Sequence, residues 1–136
     1  MRLNLVKNPD AAAMDKYEIA RAIYAEGGGG SLRAASALAS MVANAAIATS
    51  RTPIDIVRDI AMFSARDKKS PRHNAWHVHV NDAGFQMCLR VVNAMLKQNL
   101  GDYCNGATNF HHEDEMPDWA IARGYIAECD GILFYA

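Results

Sequence analysis

Alanine is the residue that most constrains how this chain can fold. The sequence has 24 alanines among 136 residues, and they are concentrated before residue 50. Alanine has the highest helix propensity of all residues, and its small side chain lets a helix lie close to its neighbours. We therefore expect the first half of the chain to consist of closely packed helices.

This alanine-rich region predicts two helices. The first is expected over about residues 11–26, with Asp10 as its N-cap, and the glycines at 27–30 end it. Ser31 caps a second helix over about residues 32–49, which consists largely of Ala, Leu, Met and Val. Because these side chains are small and apolar, we expect the second helix at the centre of the fold.

Two further helices are expected before residue 100. Thr52 caps the third, Pro53 takes its first position, and it is expected to end near residues 63–64. Residues 65–80 are charged and aperiodic, which is typical of a loop. Residues 81–82 cap the fourth helix. Its apolar stripe consists of Phe85, Leu89, Val92 and Leu96.

The last third of the chain predicts a small antiparallel sheet. Two apolar runs, residues 125–129 and 132–135, flank Asp130-Gly131, a pair typical of a two-residue hairpin turn. Residues 107–111 are a further candidate strand. The expected fold class is α+β, with helices in the first two-thirds and the sheet at the C-terminus, and residues 1–136 form a single domain.

Composition and charge narrow the class of protein. The chain is 51% hydrophobic and 21% charged, which excludes intrinsic disorder. Its 14 Lys and Arg nearly balance 15 Asp and Glu, so we expect no nucleic-acid partner. No run approaches the roughly 18 consecutive apolar residues that span a membrane, so stable membrane insertion is not expected either. The first ten residues lack the apolar segment of a secretory signal. We expect a monomer made in the cytoplasm.

The cysteines predict neither a disulfide framework nor a metal site. Cys88, Cys104 and Cys129 are odd in number and far apart in the sequence. We expect three small, buried thiols.

Glu26 is the strongest candidate for chemistry. It ends the first predicted helix, where unpaired carbonyl groups and the helix dipole disfavour a second negative charge. The glycines that follow are expected to form a flexible loop that a substrate can approach. A carboxyl group in this position tends to retain its proton and suits a general acid. A solvated glutamate at a helix end is the alternative.

Three other groups of residues are candidates for a phosphate-binding loop, a second catalytic carboxylate or a zinc site. The glycine run does not match a phosphate-binding loop, because a strand does not precede it and a Lys-Ser pair does not follow. The acidic residues 113–115 and Asp118 are more typical of a solvated loop than of a second catalytic carboxylate. The histidines are a candidate zinc site, although their spacing matches no known motif. They are His73, His77, His79, His111 and His112.

Several segments together resemble one family, the SleB-type cell wall hydrolases, which include the spore cortex-lytic enzymes. Residues 22–31 resemble the family's helix-end E-A-x-G-E segment, and residues 105–111 its G-A-T-x-F-H segment. Residues 117–119, Pro-Asp-Trp, follow at the usual distance. The closing residues 131–135 resemble its G-x-H-x-F-Y strand, and residues 62–64 correspond to its Q-F-S stretch. The matched segments occur in the family's order.

The resemblance implies a lysozyme-like catalytic domain that cleaves peptidoglycan between N-acetylmuramic acid and N-acetylglucosamine. The family's catalytic glutamate falls on Glu26, which would act as acid and then as base in a lytic transglycosylase without a cofactor or metal. The resemblance also implies a substrate groove beside it. The expected groove residues are Ser64, Asn105, Thr108, Phe110, His111 and Trp119, with Trp119 more readily assigned to the core.

This sequence departs from the family pattern at three positions. Gly30 replaces the second acid, Ile132 or Leu133 replaces the histidine of the closing strand, and Met62 replaces the glutamine. Two other functions stay open: a zinc-dependent hydrolase that uses the histidines, and a non-catalytic cell-wall-binding module. Since peptidoglycan lies outside the cytoplasmic membrane, an enzyme of this kind needs an export route, such as phage-type release.

Overall fold

A computed structural model describes residues 11–136, with side chains from residue 14 onward. The predicted N-cap Asp10 lies outside these residues. The helices are α1 (Ala11–Ala25), α2 (Leu32–Thr49), α3 (Pro53–Val57), α4 (His73–Trp76) and α5 (Ala83–Leu96). The strands are β1 (Asn109–His112), β2 (Ala127–Cys129) and β3 (Ile132–Tyr135). Short 3-10 turns occur at Gly28–Gly30, Ser64–Arg66 and Asp118–Ala120.

Helix α2 is the central element, as its alanine content predicts. It contacts α1, α3 and α5 on its sides, and β1 and β2 of the sheet. Ser31 caps it, because the Ser31 hydroxyl accepts a hydrogen bond from the Ala34 N–H at 3.0 Å. α2 is long and apolar enough to cross a membrane, but 61% of it is buried inside the fold. Its apolar surface is therefore largely covered by the protein core.

Helix α3 is much shorter than predicted. Thr52 and Asp55 form the expected capping box, but the helix ends at Val57 instead of near residues 63–64. The Asp59 carboxylate accepts a hydrogen bond from the Ala61 N–H at 3.0 Å. A side chain that binds the backbone in this way competes with helical hydrogen bonding, so residues 58–63 form turns.

The predicted loop at residues 65–80 contains one short helix. α4 is a single turn within a segment that otherwise consists of turns. The Arg21 side chain of α1 fixes this segment by donating hydrogen bonds to the Trp76 carbonyl at 3.1 Å and the Val78 carbonyl at 2.7 Å. The segment therefore follows the surface of α1 in a defined conformation, although it has little regular structure.

Helix α5 begins as predicted, with Asp82 accepting a hydrogen bond from the Phe85 N–H at 3.0 Å. Phe85 and Val92 are fully buried. Leu96, which was predicted to extend their stripe, is 40% exposed. It is the last residue of α5 and lines an open groove with Ile47 of α2, which is itself exposed.

The three strands form one antiparallel sheet in the order β1-β3-β2. The predicted hairpin is confirmed, and both of its turn residues have positive φ, 50° at Asp130 and 79° at Gly131. The further strand is also confirmed, shifted to Asn109–His112. Phe110 pairs with Phe134 in the middle of the β1–β3 register, and both are buried. About half of the chain is helical, so the α+β fold class is confirmed.

Candidate functional site

Glu26 is a buried carboxyl group at the junction of α1 and the glycine turn. Its N–H still bonds to the Ala22 carbonyl at 3.1 Å, so the last helical hydrogen bond holds its backbone. Gly27 then turns the chain with φ 106°, which is the left-handed region that glycine tolerates best. Only 2% of the Glu26 surface is exposed. Its side chain is therefore directed inward rather than solvated.

His112 of β1 is the hydrogen-bond partner of Glu26. Its Nε2 lies 2.8 Å from Glu26 Oε2. The backbone of His112 is itself fixed, because its N–H donates to the Glu115 carboxylate at 2.9 Å. Its ring also meets the Phe110 ring edge to face, with the centroids 6.0 Å apart. The sheet and the end of α1 are thus joined through one carboxyl–imidazole contact.

The two oxygens of the Glu26 carboxyl group differ in their surroundings. Oε2 accepts from His112 and also lies 3.7 Å from the Arg72 guanidinium. Arg72 lies 4.0 Å from Asp114 on its other side. Oε1 is buried and has no hydrogen-bond partner among residues 11–136. Because most buried polar atoms are hydrogen-bonded, an unpartnered carboxyl oxygen is a candidate functional atom.

Glu26 lines a cleft of about 320 Å³ between the helices and the sheet. Four of the six predicted groove residues line the same cleft: Ser64, Phe110, His111 and Trp119. The other lining residues are Ala61, Met62, His112, Glu115, Met116 and Pro117. Met62 and Ser64 lie on the cleft while Phe63 between them is buried in the core, so the segment matched to Q-F-S contributes two side chains.

Asn105 and Thr108 do not line this cleft, although both were predicted groove residues. Asn105 has φ 54°, and its side-chain amide donates to the Ile126 carbonyl at 2.9 Å. The Thr108 N–H donates to the Tyr135 carbonyl at 2.8 Å. These bonds hold the segment before β1 against the C-terminal hairpin. The two residues therefore shape the approach to β1 rather than the wall of the cleft.

His111, Trp119 and Tyr135 form an aromatic cluster at one wall of the cleft. The His111 ring stacks on Tyr135 at 5.2 Å, and Trp119 meets both rings edge to face at 5.7 and 5.1 Å. His111 Nδ1–H donates to the His112 carbonyl at 2.7 Å, so in the neutral ring Nε2 accepts from the Tyr135 hydroxyl at 2.8 Å. Trp119, which was more readily assigned to the core, is instead half-buried and borders the cleft, whereas Tyr135 is buried.

Gly28 and Gly29, the middle two glycines of the run at 27–30, are closely packed. A Cβ atom at Gly28 would lie 2.8 Å from the Ile23 carbonyl oxygen, and one at Gly29 would lie 2.4 Å from the Tyr24 ring. On α5, a Cβ at Gly84 would lie 2.8 Å from the Gly29 carbonyl oxygen. The glycines therefore let the chain fold back tightly over the end of α1. The flexible loop expected next to Glu26 therefore contains two glycines with no room for a side chain.

The histidines do not gather around one point. His111 and His112 lie at the Glu26 cleft, and His73 and His77 contact each other on the α4 segment. Within residues 11–136, no three His, Cys, Asp or Glu side chains come together as a metal site would require. The zinc-dependent hydrolase considered from the sequence therefore lacks a set of three or four protein ligands there.

The three cysteines are buried thiols, as predicted. All three are free and buried. Burial raises the pKa of Cys88 and of Cys104 to about 12, and it raises the pKa of Cys129 as well. A raised pKa disfavours the thiolate, so none of them has the character of a nucleophile.

Sequence reasoning did not assign His112, Arg72 or Glu115 to the site. The predicted strand ended at residue 111; the observed β1 extends to His112, and alternation along it places residues 110 and 112 on the same side. No comparable signal exists for Arg72, because the aperiodic segment at 65–80 reaches the cleft only through tertiary contacts. Glu115 was part of an acidic run that resembled a solvated loop.

Known proteins provide no further assignment of this site. No protein-family model, curated protein or solved structure matches the chain. The resemblance to SleB-type cell wall hydrolases stays a prediction that rests on the motifs quoted above.

Proposed function

We propose that this protein cleaves the glycan strands of peptidoglycan between N-acetylmuramic acid and N-acetylglucosamine, as a lytic transglycosylase. The observation that carries the proposal is Glu26, a buried carboxyl group on a cleft, with one oxygen bound by His112 and the other unpartnered. A lytic transglycosylase needs a single catalytic carboxyl group. The burial of Glu26 and its hydrogen bond with His112 suit that role. The α+β fold, with this glutamate at a helix end facing a small sheet, is consistent with a lysozyme-like domain.

Glu26 acts first as a general acid. With its proton on Oε1, the group still accepts the His112 hydrogen bond through Oε2. The Glu26 carboxyl group, which lines the cleft, then gives its proton to the glycosidic oxygen, and the bond between that oxygen and the muramoyl C1 breaks. The carboxylate that forms is stabilised by the His112 N–H and by the Arg72 guanidinium 3.7 Å away.

Glu26 acts next as a general base. Its carboxylate removes the proton from the muramoyl 6-hydroxyl, whose oxygen attacks C1 of the same sugar and closes a 1,6-anhydro ring. The proton returns to Glu26, so the enzyme ends in its starting state without the addition of water. A second catalytic carboxylate is not required for this reaction, whereas hydrolysis through an activated water commonly uses one.

The cleft has side chains suited to a sugar chain. Trp119 presents a half-buried aromatic surface, and Ser64 and His111 add polar groups that fit hydroxyl and acetamide groups. The near-neutral charge of the chain fits a largely sugar-binding surface. The protein would act as a monomer and reach the wall by export or phage-type release.

The test is digestion of purified sacculi with wild type and Glu26→Gln, followed by mass spectrometry of the released muropeptides. Gln has nearly the shape of Glu but cannot supply the proton, so we expect solubilisation to fall at least about 100-fold. Glu128→Gln is the matched control, because Glu128 is an exposed residue of β2 outside the cleft. Both variants are first compared with wild type by thermal unfolding.

The product decides between reaction types. A 1,6-anhydromuramic end supports the transglycosylase, a reducing muramic end indicates hydrolysis, and cleaved stem peptides contradict both. Solubilisation by Glu26→Gln at the wild-type rate would refute the proposal. Loss of activity with a chelator while Glu26→Gln is tolerated would favour a zinc hydrolase. Binding to sacculi without any released product would favour a wall-binding module.

A further inference from the structure

His73 and His77 form a pair of imidazoles outside the Glu26 cleft. Their Nε2 atoms lie 3.1 Å apart, and the two rings are nearly perpendicular with centroids 4.8 Å apart. His73 is the first residue of α4 and His77 directly follows its last. His77 is exposed to solvent, and neither residue lines the Glu26 cleft. We propose that this pair binds one divalent transition-metal ion, of the class of Zn²⁺, Ni²⁺ or Cu²⁺.

The tautomer of His73 is already set for metal binding. Its Nδ1 lies 2.9 Å from the Ala65 carbonyl oxygen, which only accepts, so Nδ1 carries the hydrogen. In the neutral ring, Nε2 therefore holds a lone pair directed at His77. A backbone carbonyl that fixes the second ring nitrogen is the usual support of a metal-binding histidine.

The separation of the two nitrogens fits two ligands of one ion. With Zn–N bonds of about 2.0–2.1 Å, two ligands of a tetrahedral ion lie about 3.3–3.4 Å apart. The observed 3.1 Å requires only a small opening of the pair. Without metal, the hydrogen on His77 Nε2 occupies the space between the rings. When the metal binds, that hydrogen moves to His77 Nδ1, and both Nε2 atoms donate lone pairs.

The two imidazoles also limit which metal ions the site can bind and how tightly. Imidazole suits Zn²⁺, Ni²⁺ and Cu²⁺, and two histidines four residues apart are a known zinc-binding spacing on a helix. Within the described chain, no third His, Cys, Asp or Glu joins the two. Water would complete the coordination, so the expected affinity is modest. The ion would link the two ends of α4 and stabilise this single turn.

The test is calorimetric titration of the full chain with ZnCl₂. We expect one equivalent to bind wild type, and His73→Ala and His77→Ala each to weaken binding by about tenfold or more. His79→Ala is the matched control, because His79 lies in the same segment but outside the pair. If His73→Ala unfolds through loss of its Ala65 contact, His77→Ala carries the test, because that contact remains.

Histidine-ring NMR identifies the nitrogens involved. We expect Zn²⁺ to shift the Nε2 signals of His73 and His77 and to leave the hydrogen on His73 Nδ1. Unchanged Zn²⁺ affinity in His77→Ala, or no binding to wild type, would overturn the proposal. Titration of Glu26→Gln with Zn²⁺ separates this site from the proposed activity, since that variant should bind Zn²⁺ like wild type.

Discussion

The Glu26 carboxyl group combines two properties at the scale of a single residue. One oxygen is held by His112 and lies near Arg72, while the other is buried without a partner. The first contact orients the side chain. In the proposed mechanism, the carboxyl group exchanges a proton with the bound glycan. Burying an unpartnered polar atom costs about 1–3 kcal/mol, so the unpartnered oxygen lowers the stability of the fold.

His112 is expected to act as a positioning residue for Glu26. Replacing it by Phe retains an aromatic ring beside Phe110 but removes the donor to Glu26 Oε2. We expect kcat on sacculi or glycan strands to fall about 100-fold, with little change in KM, because the lost contact is to the proposed catalytic group and not to the substrate. Steady-state kinetics on soluble glycan fragments measures both constants.

His112→Gln is the control for this prediction. Its side-chain amide can still donate a hydrogen bond, so it should retain more activity than His112→Phe at similar thermal stability. Equal kcat values for wild type and His112→Phe would show that the His112–Glu26 contact has no catalytic role.

Among the elements, the turn at Gly28–Gly30 shows how the end of α1 is built. Gly28 and Gly29 pack against Ile23 and Tyr24, and Gly84 lets α5 approach the same turn. The turn thus contacts three helices beside Glu26, namely α1, α2 and α5. Glu18 adds a further connection, because it pairs with Arg58 after α3 and with Arg66 in the Ser64–Arg66 turn. The Arg58 hydrogen bond lowers the pKa of Glu18 and favours its charged form.

Alanine substitutions in the glycine turn should differ according to the space available. A Cβ at Gly28 would collide with the Ile23 backbone, so we expect Gly28→Ala to lower the free energy of unfolding by about 1–3 kcal/mol. Gly30 has nothing within 4 Å of its Cβ position, so Gly30→Ala should change it by less than about 1 kcal/mol. Urea unfolding measures both. Equal destabilisation by the two variants would contradict the packing described here.

For the molecule as a whole, the cysteines report on the integrity of the core. Cys88 lies on α5, Cys104 before β1, and Cys129 on β2, so together they sample both the helices and the sheet. All three are buried although they are far apart in sequence. Their burial shows that one continuous core extends from the helices to the C-terminal hairpin.

The native protein should therefore resist thiol labelling. A pKa raised to about 12 from an ordinary 9.0 lowers the thiolate fraction of Cys88 and Cys104 about 1000-fold at mildly alkaline pH. We expect little reaction with Ellman's reagent in the native state and three reactive thiols in guanidinium chloride. Peptide mapping identifies any thiol that reacts. Rapid labelling of Cys88 or Cys104 in the native state would contradict the described core.

The sequence by itself determined the features that depend on local interactions. The caps at Ser31, Thr52 and Asp82 and the Asp130-Gly131 turn involve residues within a few positions of one another, so their patterns predicted elements that the structure confirms. Helix composition likewise predicted α2 at the centre. The early end of α3 is also local, since the Asp59 carboxylate bonds the Ala61 N–H two positions on, but the expected helix continued past it to residues 63–64.

Only the tertiary structure decided the surroundings of Glu26. His112 lies 86 positions from Glu26, and Arg72 belongs to a segment with no periodicity. Asn105 and Thr108 lie outside the cleft because hydrogen bonds to the C-terminal hairpin hold them there. Contacts of this kind arise from how the sheet packs against the helices, which a local pattern does not encode. The sequence determined which residue could supply a proton, and the fold determined which groups surround it.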